Sequence, residues 1–219
     1  MDLASFLTTL SIAAIPVVFA ITLHEVAHGW VARSFGDRTA EAQGRLSFNP
    51  IRHIDPIGTI LVPVLLLWLG GFLFGWAKPV PVNPRFLRDP HPHMALVAAA
   101  GPTANLAMAV AWALVMFLAQ GPGGGIFGQW LTLMAAFGIT INFILALLNL
   151  LPIPPLDGGQ VLMNVLPPGP FVSFLERVQP FGILIVLLMI PTGILAAILG
   201  GPMDFLQNLL VNTLGVRGI

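Results

Sequence analysis

Long apolar stretches separated by short polar ones dominate this chain, and few of them alternate as strands would. Residues 3–35 read as one apolar helix, with Pro16 as a kink point. Residues 33–56 turn polar, with Arg33, Asp37, Arg38, Glu41, Arg45, Arg52, His53 and Asp55. Residues 57–75 are apolar but short and end in a glycine-rich run, and residues 76–92 form a proline-rich loop. A long apolar helix is expected over 93–119, a glycine-rich turn over 120–127, and a further helix over 128–151 that runs into LLNLLPIPPLDGG. The last clear span is 180–200, followed by a weakly amphipathic tail at 202–216 suited to lying on or in a membrane. The pattern predicts an all-α polytopic membrane protein with about four to six membrane segments, one of them a broken helix.

Composition fixes the setting. Of 219 residues, 57% are hydrophobic and only 8% charged, where an ordinary soluble domain carries about 25%. The formal net charge is zero, so a nucleic-acid partner is not indicated, and the lipid bilayer is the partner that composition does imply. With no cysteine, there is no disulfide framework and no thiolate metal site. The start Met1-Asp2-Leu3 lacks the basic region of a signal peptide, so the first helix is read as retained. Residues 1–219 are read as one integral membrane domain, with a core over 3–160 and a C-terminal span and tail over 180–219.

The basic residues orient the chain. Arg33, Arg38, Arg45 and Arg52 follow the first helix, while Lys78, Arg85 and Arg88 precede the helix at 93, and the turn at 120–127 has none. By the positive-inside rule both basic loops face the cytoplasm, and the N-terminus and the turn lie outside. A segment 57–75 that crossed would put its two basic flanks on opposite sides. A re-entrant hairpin is therefore favoured there, with a plain short span as the alternative.

The chemistry centres on His24-Glu25-Val26-Ala27-His28, set inside the first apolar helix. Histidines four apart share one helix face and can clamp one metal ion, with the intervening glutamate placed to handle an activated water. Ionisable groups inside an apolar span are costly and mark function. A protease-type site needs a third protein ligand and an open position. Of the downstream acids, only Asp157 lies in an apolar, glycine-flanked setting at the end of a span. A hairpin at 57–75 delivers it to the same side as His24 and His28. Asp157 also suits the N-cap of a helix over 158–166, and the two roles are compatible.

HEVAH together with Asn149-Leu-Leu-Pro152-Ile-Pro154-Pro-Leu-Asp157-Gly158 resembles the site-2 protease family of intramembrane zinc metalloproteases. That family carries HExxH and a downstream N-x-x-P-x-P-x-x-D-G. The runs GWAKPVPVNP and GPTAN resemble its compact bacterial and archaeal members, which lack PDZ and CBS domains. The resemblance implies one Zn²⁺ per chain held by His24, His28 and Asp157, with Glu25 as general base. It also implies a transmembrane protein substrate cut within or near a helix. The implied location is the cell membrane, multi-pass, with the active site towards the cytoplasm.

An oxyanion needs a donor besides the metal, and Asn105 and Asn149 are the candidates, each with interhelical hydrogen bonding as its plainer role. Residues 77–83 are either an extended edge for an unwound substrate or a rigid loop. His53, His91 and His93 read as interfacial polar residues. Two other classes remain open: a metal or ion transporter, against which stands the lack of a second broken helix, and a catalytically silent membrane binding protein, against which stand the intact Glu25, His24, His28 and Asp157.

Overall fold

A computed structural model describes residues 3–70, 75, 78–121 and 125–216. Among these the chain is helical throughout its regular parts, with no strand. Helix α1 spans Leu3–Ser34 and contains Pro16, as the apolar pattern predicts. A single turn, α2 (Thr39–Ala42), follows. A π-helical turn at Pro56–Leu61 then continues into α3 (Val62–Gly70). The long helices α4 (Pro90–Ala119) and α5 (Gly125–Asn149) come next. The short α6 (Asp157–Val165) and α7 (Pro170–Val178) lead to α8 (Gly182–Met189) and α9 (Ile194–Leu214). Among the described residues, five helical stretches are long and apolar enough to cross a membrane: 3–34, 90–119, 125–149, 170–189 and 194–214. The chain is a multi-pass, all-α membrane protein.

Helix α4 is the spine, packed against α1, α5 and α6. Where α4 meets α5, Ala109, Ala113 and Ala135 are fully buried, and Gly138 lies so close to the Trp112 ring that a Cβ would overlap it. Small residues bring the two backbones together where lipid supplies no hydrophobic drive. The polarity runs opposite to that of a soluble protein. Asn105, Asn142 and Asp37 are buried, while Leu7, Phe19, Phe117, Leu118 and Ile126 are exposed on the rim.

The segment after residue 55 leaves and returns at one level, beside the middle of α1. The Lys78 amide donates to the His53 carbonyl (3.0 Å), and Gly75 lies against Gly58 and Pro63 at the start of the excursion. This is the hairpin geometry expected of 57–75. The glycine-rich run at 71–74, Ala77 at the head of the expected edge, and residues 122–124 of the turn lie outside the described residues. Two other expectations change. His53 is buried, not interfacial, with Nε2 bonded to the Ser47 carbonyl (2.8 Å). The span expected at 180–200 stops at Met189, because Gly193 turns the chain with a positive φ of 74°. The residues read as an amphipathic tail belong instead to α9, itself long enough to cross.

Candidate active site

α1 presents His24 and His28 one turn apart, and the broken end of α5 brings Asp157 to meet them. Helix α5 stops at Asn149, and Pro152, Pro154 and Pro155 deny the next residues a helical ladder. The chain doubles back through two glycines: a Cβ on Gly158 would strike the Leu150 carbonyl, and one on Gly159 would strike the Pro154 backbone. Asp157 therefore opens α6 as its first residue, aimed at α1. Gly182 presses α8 equally closely against the Pro154 carbonyl, closing the loop from behind.

The three ligand-type side chains lie within hydrogen-bonding range of one another. His24 Nε2 is 3.0 Å from His28 Nε2 and 3.2 Å from Asp157 Oδ2, and His28 Nε2 is 3.5 Å from Asp157 Oδ1. What surrounds them decides the meaning of these distances. His24 Nδ1 faces the Asn105 side-chain oxygen at 2.6 Å, and His28 Nδ1 faces the Val97 carbonyl at 2.7 Å. Both Nδ1 atoms face acceptors, so each neutral ring carries its proton there and leaves a bare lone pair on Nε2. Two imidazole lone pairs and a carboxylate then converge with no hydrogen between them. Asp157 Oδ2 is buried with no hydrogen-bond partner, despite its 3.2 Å approach to His24. That approach is a meeting of acceptors. A pocket of three acceptors fits a cation, and His₂-carboxylate with an open fourth position suits zinc. Among the described residues it is also the one group of three His or acidic side chains close enough to share an ion.

Helix α4 forms the floor. Val97, Gly101 and Asn105 follow at intervals of four and so share one face. The outer two bond the rings, and the middle one has no side chain because there is no room: a Cβ on Gly101 would overlap both imidazoles. Glu25 points beside the pair and accepts a hydrogen bond from the Val80 amide through Oε2 (2.7 Å). Val80 belongs to an extended stretch pinned at both ends. Arg45 donates to the Lys78 and Pro79 carbonyls (2.6 and 3.3 Å), and the Asn83 amide donates to Asp37 (2.6 Å). A cavity of about 260 Å³ opens onto His24 and Glu25, lined also by Asn149, Gly75, Ile183 and Val186.

The two asparagines separate. Asn149 lines that cavity, with Nδ2 bonded to the Leu145 carbonyl (2.9 Å) and a second amide hydrogen to give. The oxyanion role expected of Asn105 does not fit its surroundings. Its oxygen takes the His24 contact, and its nitrogen reaches the Ala20 carbonyl (3.3 Å) and Asn142 Oδ1 (2.9 Å), so neither end is left for a substrate. Sequence reasoning missed Asn142 altogether, although a lone amide in the apolar run ITINFIL was a visible signal. The Val80 amide and Val97 carbonyl carry no such signal, being main-chain groups.

Comparison with known proteins agrees with this chemistry. Peptidase family M50 matches residues 12–132 and 125–189. The chain is 39% identical to "Putative zinc metalloprotease YwhC" of Bacillus subtilis over 181 residues, 81% of this chain and 79% of that one. It is 32% identical to "Putative zinc metalloprotease Rip2" of Mycolicibacterium smegmatis over 179 residues, 80% of this chain and 64% of that one. It is 34% identical to "Regulator of sigma-E protease RseP" of Escherichia coli over 128 residues, 56% of this chain and 27% of that one. No solved structure matches significantly. A donor-free His₂-carboxylate cluster inside a membrane helix bundle, matched along most of the chain by that family, makes this protein a member of peptidase family M50, the site-2 proteases, which are intramembrane zinc metalloproteases.

Proposed function

We propose that the protein cuts peptide bonds within or near transmembrane helices of other membrane proteins. His24, His28 and Asp157 hold one zinc ion and Glu25 is the general base. The observation that carries this is the convergence of two imidazole lone pairs and one carboxylate with no hydrogen among them. When bound, zinc polarises a scissile carbonyl and acidifies water. Glu25 accepts the proton from the attacking water and returns it to the leaving amide nitrogen, and the Val80 amide holds its carboxylate in place meanwhile. Asn149, with its spare amide hydrogen in the same cavity, donates to the carbonyl oxygen as negative charge develops there.

The substrate enters beside residues 78–83, whose prolines keep the chain extended and whose amides are already committed at Val80 and Asn83. The basic loops at 33–56 and 78–88 support a site towards the cytoplasmic side of the cell membrane. A part in regulated intramembrane proteolysis accords with the relative named as a regulator of sigma-E protease. The test is zinc per chain in detergent, measured with cleavage of a transmembrane peptide library. Wild type should hold near one zinc and cleave. Asp157→Ala should lose most of the metal. Glu25→Gln should keep the metal and lose turnover by about 10²-fold or more. Undiminished zinc in Asp157→Ala, or full turnover in Glu25→Gln, would sink the assignment.

A further inference from the structure

We infer that Asn142 of α5 is a positioning residue of the metal centre: it fixes which way the Asn105 amide points and thereby which nitrogen of His24 is free for the ion. This rests on the metal reading above and extends it one helix outwards. The two ligand histidines are oriented by different kinds of group. His28 Nδ1 faces the main-chain carbonyl of Val97 at 2.7 Å. A main-chain carbonyl can only accept, so the His28 tautomer is set without further help. His24 Nδ1 faces a side-chain amide at 2.6 Å, and an amide has an accepting end and a donating end of almost the same shape. Turned over, Asn105 would donate to Nδ1, and His24 would then carry its proton on Nε2, towards the ion's position.

Two acceptors prevent the turn. The Asn105 nitrogen lies 2.9 Å from Asn142 Oδ1 and 3.3 Å from the Ala20 carbonyl. Reversal would bring an oxygen against both. Asn142 is itself held, since its Nδ2 donates to the Gly138 carbonyl at 2.8 Å. The donors therefore all run one way: His24 Nδ1–H to Asn105, Asn105 to Asn142, Asn142 to Gly138. Both amides are fully buried, so no water competes for their ends. The relay begins at a main-chain carbonyl of α5, passes through α4 and ends at the ring on α1. Of the two acceptors that orient Asn105, Asn142 makes the closer contact, and the Ala20 carbonyl sits at the long end of the range.

The experiment uses the full chain in detergent with ¹⁵N-labelled histidine. Zinc is stripped, and imidazole tautomers are read by long-range ¹H–¹⁵N spectra in alkaline buffer. Zinc affinity is measured separately by chelator competition, and thermal unfolding is followed alongside. In wild type His24 and His28 should each show a single Nδ1–H tautomer. Asn142→Leu should leave His28 unchanged, convert His24 to a mixture of tautomers, and weaken zinc binding by about tenfold or more. Asn142→Asp, which keeps an acceptor towards Asn105, should restore the single His24 tautomer and most of the affinity. Asn142→Ala gives the same reading should leucine fail to fold. A His24 tautomer unchanged in the leucine or alanine variant overturns the relay, whatever happens to affinity, since packing alone would then explain the loss. Wild type that binds no zinc overturns the metal reading instead, while the tautomer spectra still judge Asn142.

Discussion

The centre depends on one residue defined by what it lacks. Gly101 sits where any side chain would meet both imidazoles. In helix α4, alanine is favoured over glycine by about 1 kcal/mol, but a methyl group forced against two packed rings costs about 1–3 kcal/mol, so Gly101→Ala should hold or lower helix-bundle stability and lower zinc affinity by about tenfold or more. A thermal midpoint that falls little beside a large loss of chelator-measured affinity is the expected result; an unchanged affinity would show that the rings have room to shift. His24, Glu25, His28 and Asp157 were legible in the sequence because residue type and spacing together express what metal hydrolysis needs. Gly101 was visible only as the first residue of the run GPTAN. Asn105 was noticed for the right reason, the cost of an amide in an apolar helix, but given the wrong work. Its partners come from α1 and α5, at separations no local pattern encodes.

Among the elements, the extended stretch 78–83 depends most on other parts of the chain. It has no ladder of its own, and four groups from earlier residues hold it: the His53 carbonyl, Arg45, Glu25 and Asp37. Asp37 is buried and also accepts from the amide and hydroxyl of Thr39 (2.9 and 2.5 Å). Asp37→Ala would strand the Asn83 and Thr39 donors, at about 1–3 kcal/mol for each that stays dry. We expect a lower thermal midpoint and reduced cleavage with zinc stoichiometry retained, because the metal ligands lie on other elements. Loss of zinc in step with cleavage would mean the stretch supports the metal as well. The long helices were legible from their apolar runs. The C-terminal pair was not, because 180–200 reads as one span by hydropathy, and the break takes only the four residues 190–193, where Pro191 interrupts the ladder and Gly193 turns the chain.

Across the described residues, five helical stretches are long and apolar enough to cross, and with the segment after α1 returning to its point of departure five crossings are expected to leave Leu3 and Leu214 on opposite sides of the membrane. The absence of cysteine makes this easy to check. Single cysteines at Gln120 and Thr192 should react with an impermeant maleimide in intact cells, and one at Gln43 only after permeabilisation. Labelling of Gln43→Cys from outside would reverse the orientation. The same packing sets the form in which a substrate can reach the site. In an α-helix each peptide group is committed to the ladder and wrapped by side chains, and the cavity over His24 and Glu25 is walled by Leu145, Leu148, Ile183 and Val186 of this chain's own helices. A scissile carbonyl reaches His24 and Glu25 only where the substrate helix has come undone, so the local cost of uncoiling enters the rate as surely as the chemistry does. Two peptides with the same scissile bond should differ in turnover according to whether glycine or leucine flanks it, and a lactam-stapled helix should bind at the rim and survive uncut.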